Sequence, residues 1–382
     1  MKACLILLAA ALIVALPFIF RREAAVGDWR EGDPELIVVT PHNEAIRQEF
    51  GEGFSRWHRE RYGQPVRIDW RVLGGTTEIM RYLASEYEAA AKRTFGAGKN
   101  GLGPSRQDVF GVDDPAKVSC GMDLFFGGGC FDHSRAEKLG LTVPAWGEAD
   151  PPAGLFTDDA GRVLIPREMN GEIWRGQAFY GTVLSAFGLC YNVDRLRDLG
   201  VAAPPAAWSD LADARYFGQV GLADPTKSAS VAKAFEMIIH ERCAKAVADA
   251  GYTAAQVRGF EAAIAAAGGG SEAWPADVPA AYQTGIERGW VDGLNLVRRI
   301  GANARYFTDS AGKVPADVGS GAAAVGVAID FLGRLQSELT ARPGHPPVMA
   351  YVTPVGGSSV TADPVSLLRG APHRGPPGSP TR

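Results

Sequence analysis

From residue 35 onward the hydrophobic pattern switches between two periods. Residues 35–40 (ELIVVT) form a short, nearly continuous apolar run, as a buried strand presents, and Ile46, Phe50, Phe54 and Trp57 then recur at helical spacing. The unit repeats: VRIDWRVL (66–73) reads as a strand, GGTTE follows, and a helix carries Ile79, Tyr82 and Leu83. After a glycine-rich insertion, MDLFFGGG (122–129) is a third buried strand running into glycines. A long strand, AFYGTVLSAFGLCYN (178–192), precedes the helix RLRDLG and a proline-rich loop. A second set begins with QVGLADPT (219–226) and the helix SVAKAFEMIIHERCAKAV (230–247), and closes with the strand AAVGVAIDF (323–331). Alternating units of this kind predict an α/β fold: parallel sheet, helices on both faces, and a ligand at the carboxyl ends of the strands. Two lobes are expected, at 35–184 and 185–352, joined near 180–190. Residues 353–373 read as an extended segment returning to the first lobe.

Candidate chemistry gathers at strand ends. In the first lobe three strands end in Thr40-Pro41-His42, Gly75-Thr76 and Gly128-Gly129, loops that allow close backbone approach and offer N–H or hydroxyl donors. Each alone is an ordinary tight turn; together, at equivalent ends of parallel strands, they predict a cleft. In the second lobe Thr226, Ser228, Ala229 and Ser230 stand where a strand becomes a helix, whose first N–H groups and positive dipole end can hold an anion. The same residues also make a well-capped helix with no ligand at all. Asp330 ends the apolar run AAVGVAI, where an unpaired buried carboxylate is costly. It either meets a cationic ligand group or pairs with a neighbouring arginine or backbone N–H.

Composition changes this picture little. The 382 residues are 46% hydrophobic and 21% charged, which excludes wholesale disorder, and a formal net charge of −4 gives no basic face for nucleic acid. The N-terminus differs: Lys2, an apolar run over 3–20, then Arg21 and Arg22, read over residues 1–26 as a signal peptide or an N-terminal membrane anchor. A periplasmic or other extracytoplasmic location follows from either. Cys120, Cys130, Cys190 and Cys243 match no zinc or CxxC spacing and read as buried thiols, although an oxidising compartment permits a bridge.

Enzyme motifs find little support. Ser230-Val231-Ala232-Lys233 has the S-x-x-K form of penicillin-recognising enzymes, but no S-D-N or K-T-G follows. The G-x-G-x-x-G over 96–101 follows a helical stretch rather than a strand, which removes the dinucleotide reading. The six histidines form no tight cluster, so no metal or other cofactor is expected; His42 and His133 both follow strand ends, with hydrogen-bonding roles.

These residues resemble the type II periplasmic solute-binding proteins of ABC importers, in the branch that binds ferric iron, thiamine and polyamines. The likeness runs from about 36 to 373 and rests on VVTPHNEAIRQEF, LGGTTEIMRYL, DLFFGGGCFDH, YGTVLSAFGLCYNVDRL, LADPTKSAS, VPADVGSGAAAVGVAIDF and GGSSVTADPVSLLRGAPH in that order. The resemblance implies a two-lobed fold with a ligand cleft between the lobes, no catalysis, and two partners: a small-molecule solute and a membrane permease. It would place Thr40, Pro41, His42, Gly75, Thr76, Gly128 and Gly129 on one jaw, and Thr226, Ser228, Ala229, Ser230 and Asp330 on the other. Ferric-binding members carry adjacent tyrosines where this chain has Asp330-Phe331-Leu332, so a small organic anion or zwitterion is expected instead. Members also continue past the equivalent of LLRGAPH with further helices, whereas residues 374–382 are an irregular tail, read as a truncation that leaves the first lobe less stable. An enzyme on the same fold, or a ligand-sensing receptor subunit, are the alternatives.

Overall fold

The computed structural model describes residues 29–96, 118–146, 154–169, 172–269 and 274–373. The expected signal or anchor over 1–26, the tail over 374–382 and most of the glycine-rich insertion lie outside the described residues. No helix among the described residues is long and apolar enough to cross a membrane.

The first half follows the predicted order. Strands β1 (Glu35–Val39), β2 (Arg67–Arg71) and β3 (Leu124–Phe126) alternate with helices α1 (Glu44–Tyr62), α2 (Thr76–Phe95) and α3 (Cys130–Lys138). Short strands follow: β4 (Thr142–Val143), then the hairpin β5 (Glu168–Met169) and β6 (Glu172–Ile173). The long strand β7 (Tyr180–Asn192) leads through α4 (Val193–Asp198) to β8 (Val220–Ala223), α5 (Ala229–Asp249), α6 (Ala254–Ala266) and α7 (Ala280–Ala302). The chain continues through β9 (Ala304–Thr308), α8 (Lys313–Gly319), β10 (Val325–Ile329), α9 (Asp330–Thr340), β11 (Met349–Val352) and β12 (Val360–Leu368).

The strands run in the order β2-β1-β3-β12-β7-β10-β8-β9, with β4 on β12 and β11 on β7. Outer pairs are parallel, as predicted, but β12 is antiparallel to β3 and β7, and β7 is antiparallel to β10 and β11. The sheet is therefore mixed, because the chain crosses from one lobe to the other on β7 and returns on β12 in the opposite sense. Residues 180–186 of β7 pair with β12, and residues 187–192 pair with β10 and β11. One strand thus serves both lobes.

Each lobe has its own core. The first packs Val39, Ile79, Leu83, Tyr87, Phe125 and Leu368; the second packs Leu189, Trp208, Leu211, Leu222, Ile238 and Val327. The Tyr87 hydroxyl reaches the carbonyls of Leu141 (3.0 Å) and Arg369 (2.8 Å), pinning the end of β12 to α2. Helix α1 departs from expectation. Its predicted apolar stripe is half exposed, Phe50 at 41% and Trp57 at 50%, while its buried side chains are Ser55 and His58. The stripe meets the first lobe mainly where Phe50 and His42 pack on Phe126. All four described cysteines are buried and unbridged.

Candidate functional site

Helix starts divide into two kinds. Asn43, Asn192 and Thr253 cap α1, α4 and α6 through their side chains; α2, α3, α5 and α9, whose first residues border the space between the lobes, have no side-chain cap on the preceding residue, and neither do α7 and α8. In α9 the Phe331 N–H is taken by Asp330 Oδ1 and in α3 the Asp132 N–H by the Gly129 carbonyl, so it is at α2 and α5 that leading N–H groups are left to a ligand or to water. Between them lies a cavity of about 330 Å³, lined by Pro41, His42, Gly75, Thr76 and Gly128 on one side, by Ser228, Ser310, Lys313 and Phe331 on the other, and by Asp363 of the return strand.

The first-lobe wall is built around the glycine loop. Thr40 is fully buried behind it, and its Oγ1 accepts a hydrogen bond from the His42 N–H at 3.1 Å, which fixes the turn. Burial lowers the His42 pKa to about 4, so the ring is neutral at pH 7, and its buried Nε2 has no hydrogen-bond partner. Gly127 and Gly128 have φ of 91° and 95°; a Cβ on the first would lie 2.2 Å from His42 Nε2, and on the second 2.1 Å from Thr76 Cγ2. Only glycine fits there. His133 props the loop from behind: Nε2 donates to the Gly127 carbonyl (3.0 Å), so Nδ1 accepts from the Ser366 hydroxyl (2.6 Å). It does not line the cavity. Asp132 Oδ2 is also buried without a hydrogen-bond partner, and burial raises the Asp132 pKa, a rise opposed by the neighbouring Thr76 hydroxyl and the Arg135 charge.

On the opposite wall, Asp224 Oδ1 accepts from both the N–H (2.8 Å) and the hydroxyl (2.7 Å) of Thr226, an Asx turn that shapes the DPTKS junction. The turn faces Thr226 away from the main cavity, into a second chamber of about 590 Å³ that it shares with Phe131, Asp132, Glu172 and Lys233. Ser228 is buried and lines the main cavity. Ala229 and Ser230 form the first turn of α5. A Cβ on Gly75 would lie 2.6 Å from the Lys227 carbonyl oxygen, so the two walls are in contact at this point and the cleft is closed there.

Of the sequence-derived set, the structure brings Pro41, His42, Gly75, Thr76, Gly128 and Ser228 around one cavity. Thr40 stands behind that cavity, Gly129 borders a small chamber of about 40 Å³ beside it, and Asp330 is spent at the start of α9, where Oδ1 accepts from the Phe331 N–H (2.8 Å). The sequence reading passed over Asp363. This residue sits where the β12 register slips between Ala362 and Pro364, is 6% exposed, accepts from the Gly128 N–H (3.1 Å), and borders both the main and the small chamber. Burial raises its pKa to about 7; the Gly128 N–H opposes the rise and the Asp330 charge adds to it. A carboxylate beside a proline inside an otherwise apolar strand was the available signal.

The crossing strands, the two cores and the cavity between them define a two-lobed fold of the periplasmic-binding-protein kind. Among solved structures, the chain is similar to the periplasmic binding protein AfuA of Actinobacillus pleuropneumoniae with exogenous fructose-6-phosphate bound, at 17% identity, covering 88% of this chain and 75% of that one, with a TM-score of 0.54. It is also similar to the periplasmic binding protein P5PA, at 15% identity, 89% and 76% coverage and a TM-score of 0.53. An uncharacterized protein of Haemophilus influenzae is 27% identical over 127 residues, which are 33% of this chain and 32% of the relative, so the match spans about a third of that relative's length. No protein-family profile matches the chain.

Proposed function

We propose that this chain is an extracytoplasmic solute-binding protein, with lobes at 35–184 and 185–352 and a return segment at 353–373, that captures a small organic anion or zwitterion and delivers it to an ABC-transporter permease. The observation that carries the reading is the set of polar groups left unpaired around one interlobe cavity: His42 Nε2 and the uncapped starts of α2 and α5. Buried polar groups ordinarily have partners. A bound solute supplies them here. The helix starts suit a phosphate or carboxylate end, and the Asp363 carboxylate suits a hydroxyl or ammonium end of the same molecule. AfuA, with its sugar phosphate, lends support to this class. Residues 1–26 would provide the export signal or anchor. Binding without turnover is favoured because the solved structures of like fold, AfuA and P5PA, are described as binding proteins.

A thermal-shift screen of the chain from residue 27, against sugar phosphates, phosphonates, amino acids, polyamines and metal ions, tests this. A ligand at a hundredfold excess over its dissociation constant stabilises the folded state by about 2.7 kcal/mol. The shift is expected with an anionic or zwitterionic compound and is expected to shrink in Ser228→Ala and His42→Ala. A folded sample that shifts with none of them, and that carries no small molecule by native mass spectrometry, would sink the reading.

A further inference from the structure

Solute binding leaves Lys233 unexplained, the residue whose spacing from Ser230 suggested an enzyme motif. Its Nζ lies 2.5 Å from Glu172 Oε1 and 3.3 Å from Glu236 Oε2. The two carboxylates differ in where they are mounted. Glu236 stands one turn further along α5 and moves with Lys233. Glu172 belongs to the β5–β6 hairpin, which is fixed to the other lobe: Trp174, just beyond the strand, is buried against Cys130, Phe179 and Ala362, and the Arg175 guanidinium lies 4.0 Å from the centre of the Phe156 ring. The Lys233–Glu172 pair is therefore a bond across the cleft. Its side chains are 25% and 27% exposed, less open to solvent than most ion pairs of this molecule, and burial, which works against the charged lysine, is outweighed by the two carboxylates, so its pKa is raised.

We infer that Lys233 is an interlobe latch that changes partners, shared by Glu172 and Glu236 when the lobes close and held by Glu236 alone when they part. The geometry gives the two glutamates opposite effects. Glu172 can reach the lysine only in the closed form, so it favours closure. Glu236 has the lysine to itself in the open form; in the closed form it shares it and also faces a like charge across one ammonium. Glu236 thus lowers the cost of opening, since no cation is stranded when Glu172 withdraws. The inference depends on the lobes moving apart and on no particular solute.

Small-angle X-ray scattering of the ligand-free full chain reads the closed-to-open ratio. Glu172→Gln is expected to lower it, on the order of fivefold as for a favourable ion pair near the surface. Glu236→Gln is expected to raise it. Lys233→Met is expected to open the molecule further than Glu172→Gln, because the two carboxylates then confront each other without a cation. Circular dichroism verifies folding, and should Lys233→Met fail to fold, the two near-isosteric glutamine variants still decide. Glutamine variants that move the ratio in the same direction, or that leave it at the wild-type value, would overturn the latch.

Discussion

Asp363→Asn is expected to stabilise the ligand-free protein at pH 8, by up to about 4 kcal/mol, and to lose that advantage as the pH falls toward 4. The wild-type carboxyl titrates at about 7 in the folded chain against an ordinary 3.8, because burial disfavours its charge. Between those values the folded chain holds a proton that the unfolded chain has released. Wild-type stability therefore rises as the pH is lowered through this window, and the penalty stands in full above 7. At about 1.4 kcal/mol for each pKa unit, the whole rise gives the upper bound quoted. Asparagine keeps an acceptor for the Gly128 N–H and carries no charge, so denaturant unfolding of both proteins at pH 8 and pH 5 isolates the effect. A gap of the same size at both pH values would show that the carboxylate is not strained by burial. Solute affinity should move the other way, as expected where a binding group is held at the expense of the free fold.

That residue also marks the limit of what the sequence discloses. Strand ends were legible, since apolar runs breaking into Thr-Pro-His or Gly-Gly need no tertiary information, and six of the residues picked there do meet around one cavity. Asp363 was read only as part of an extended return, because its importance comes from a register slip that puts a carboxylate opposite a glycine loop 235 positions earlier in the chain. Thr226 was legible as a hydroxyl but not as one already engaged by Asp224. The α1 stripe shows the converse: period 3.6 established the helix, but which side faces the core depends on what packs against it, and Phe50 and Trp57 remain half exposed. Lys233 and Glu172 are 61 positions apart in separate elements, and no local pattern joins them.

Trp208→Ala is expected to cost about 3–5 kcal/mol, the usual range for emptying a fully buried tryptophan site. Trp208 lies at the centre of the second core and its Nε1 donates to the Gly357 carbonyl at 3.2 Å, beside a bond from the Val355 N–H to the Ala206 carbonyl. The ring thereby ties the segment between β11 and β12 to the lobe it is leaving. For a unit of this size the thermal midpoint should fall by about 10 °C. Trp208→Phe keeps part of the packing, loses the hydrogen bond and some ring volume, and should cost about 2–3 kcal/mol, less than Trp208→Ala. Differential scanning calorimetry of both variants checks this; a Trp208→Ala midpoint within a degree or two of wild type would refute the assignment of Trp208 as the keystone of this core.

The place of β12 bears on how the molecule is made. It is the last strand among the described residues, yet it lies in the middle of the sheet, between β3 and β7, and Arg369 at its end, which it brings to Tyr87, is 282 positions away. Every strand of the second core is available once residue 352 has been synthesised. The first sheet at that moment still lacks its central member, and β3 presents an unpaired edge where β12 will later sit. A polypeptide emerging from its N-terminus must therefore carry an incomplete first lobe through the synthesis of the whole second one, and closes it by a long-range pairing of the slow kind. The half of the molecule that is made first is the half that is finished last.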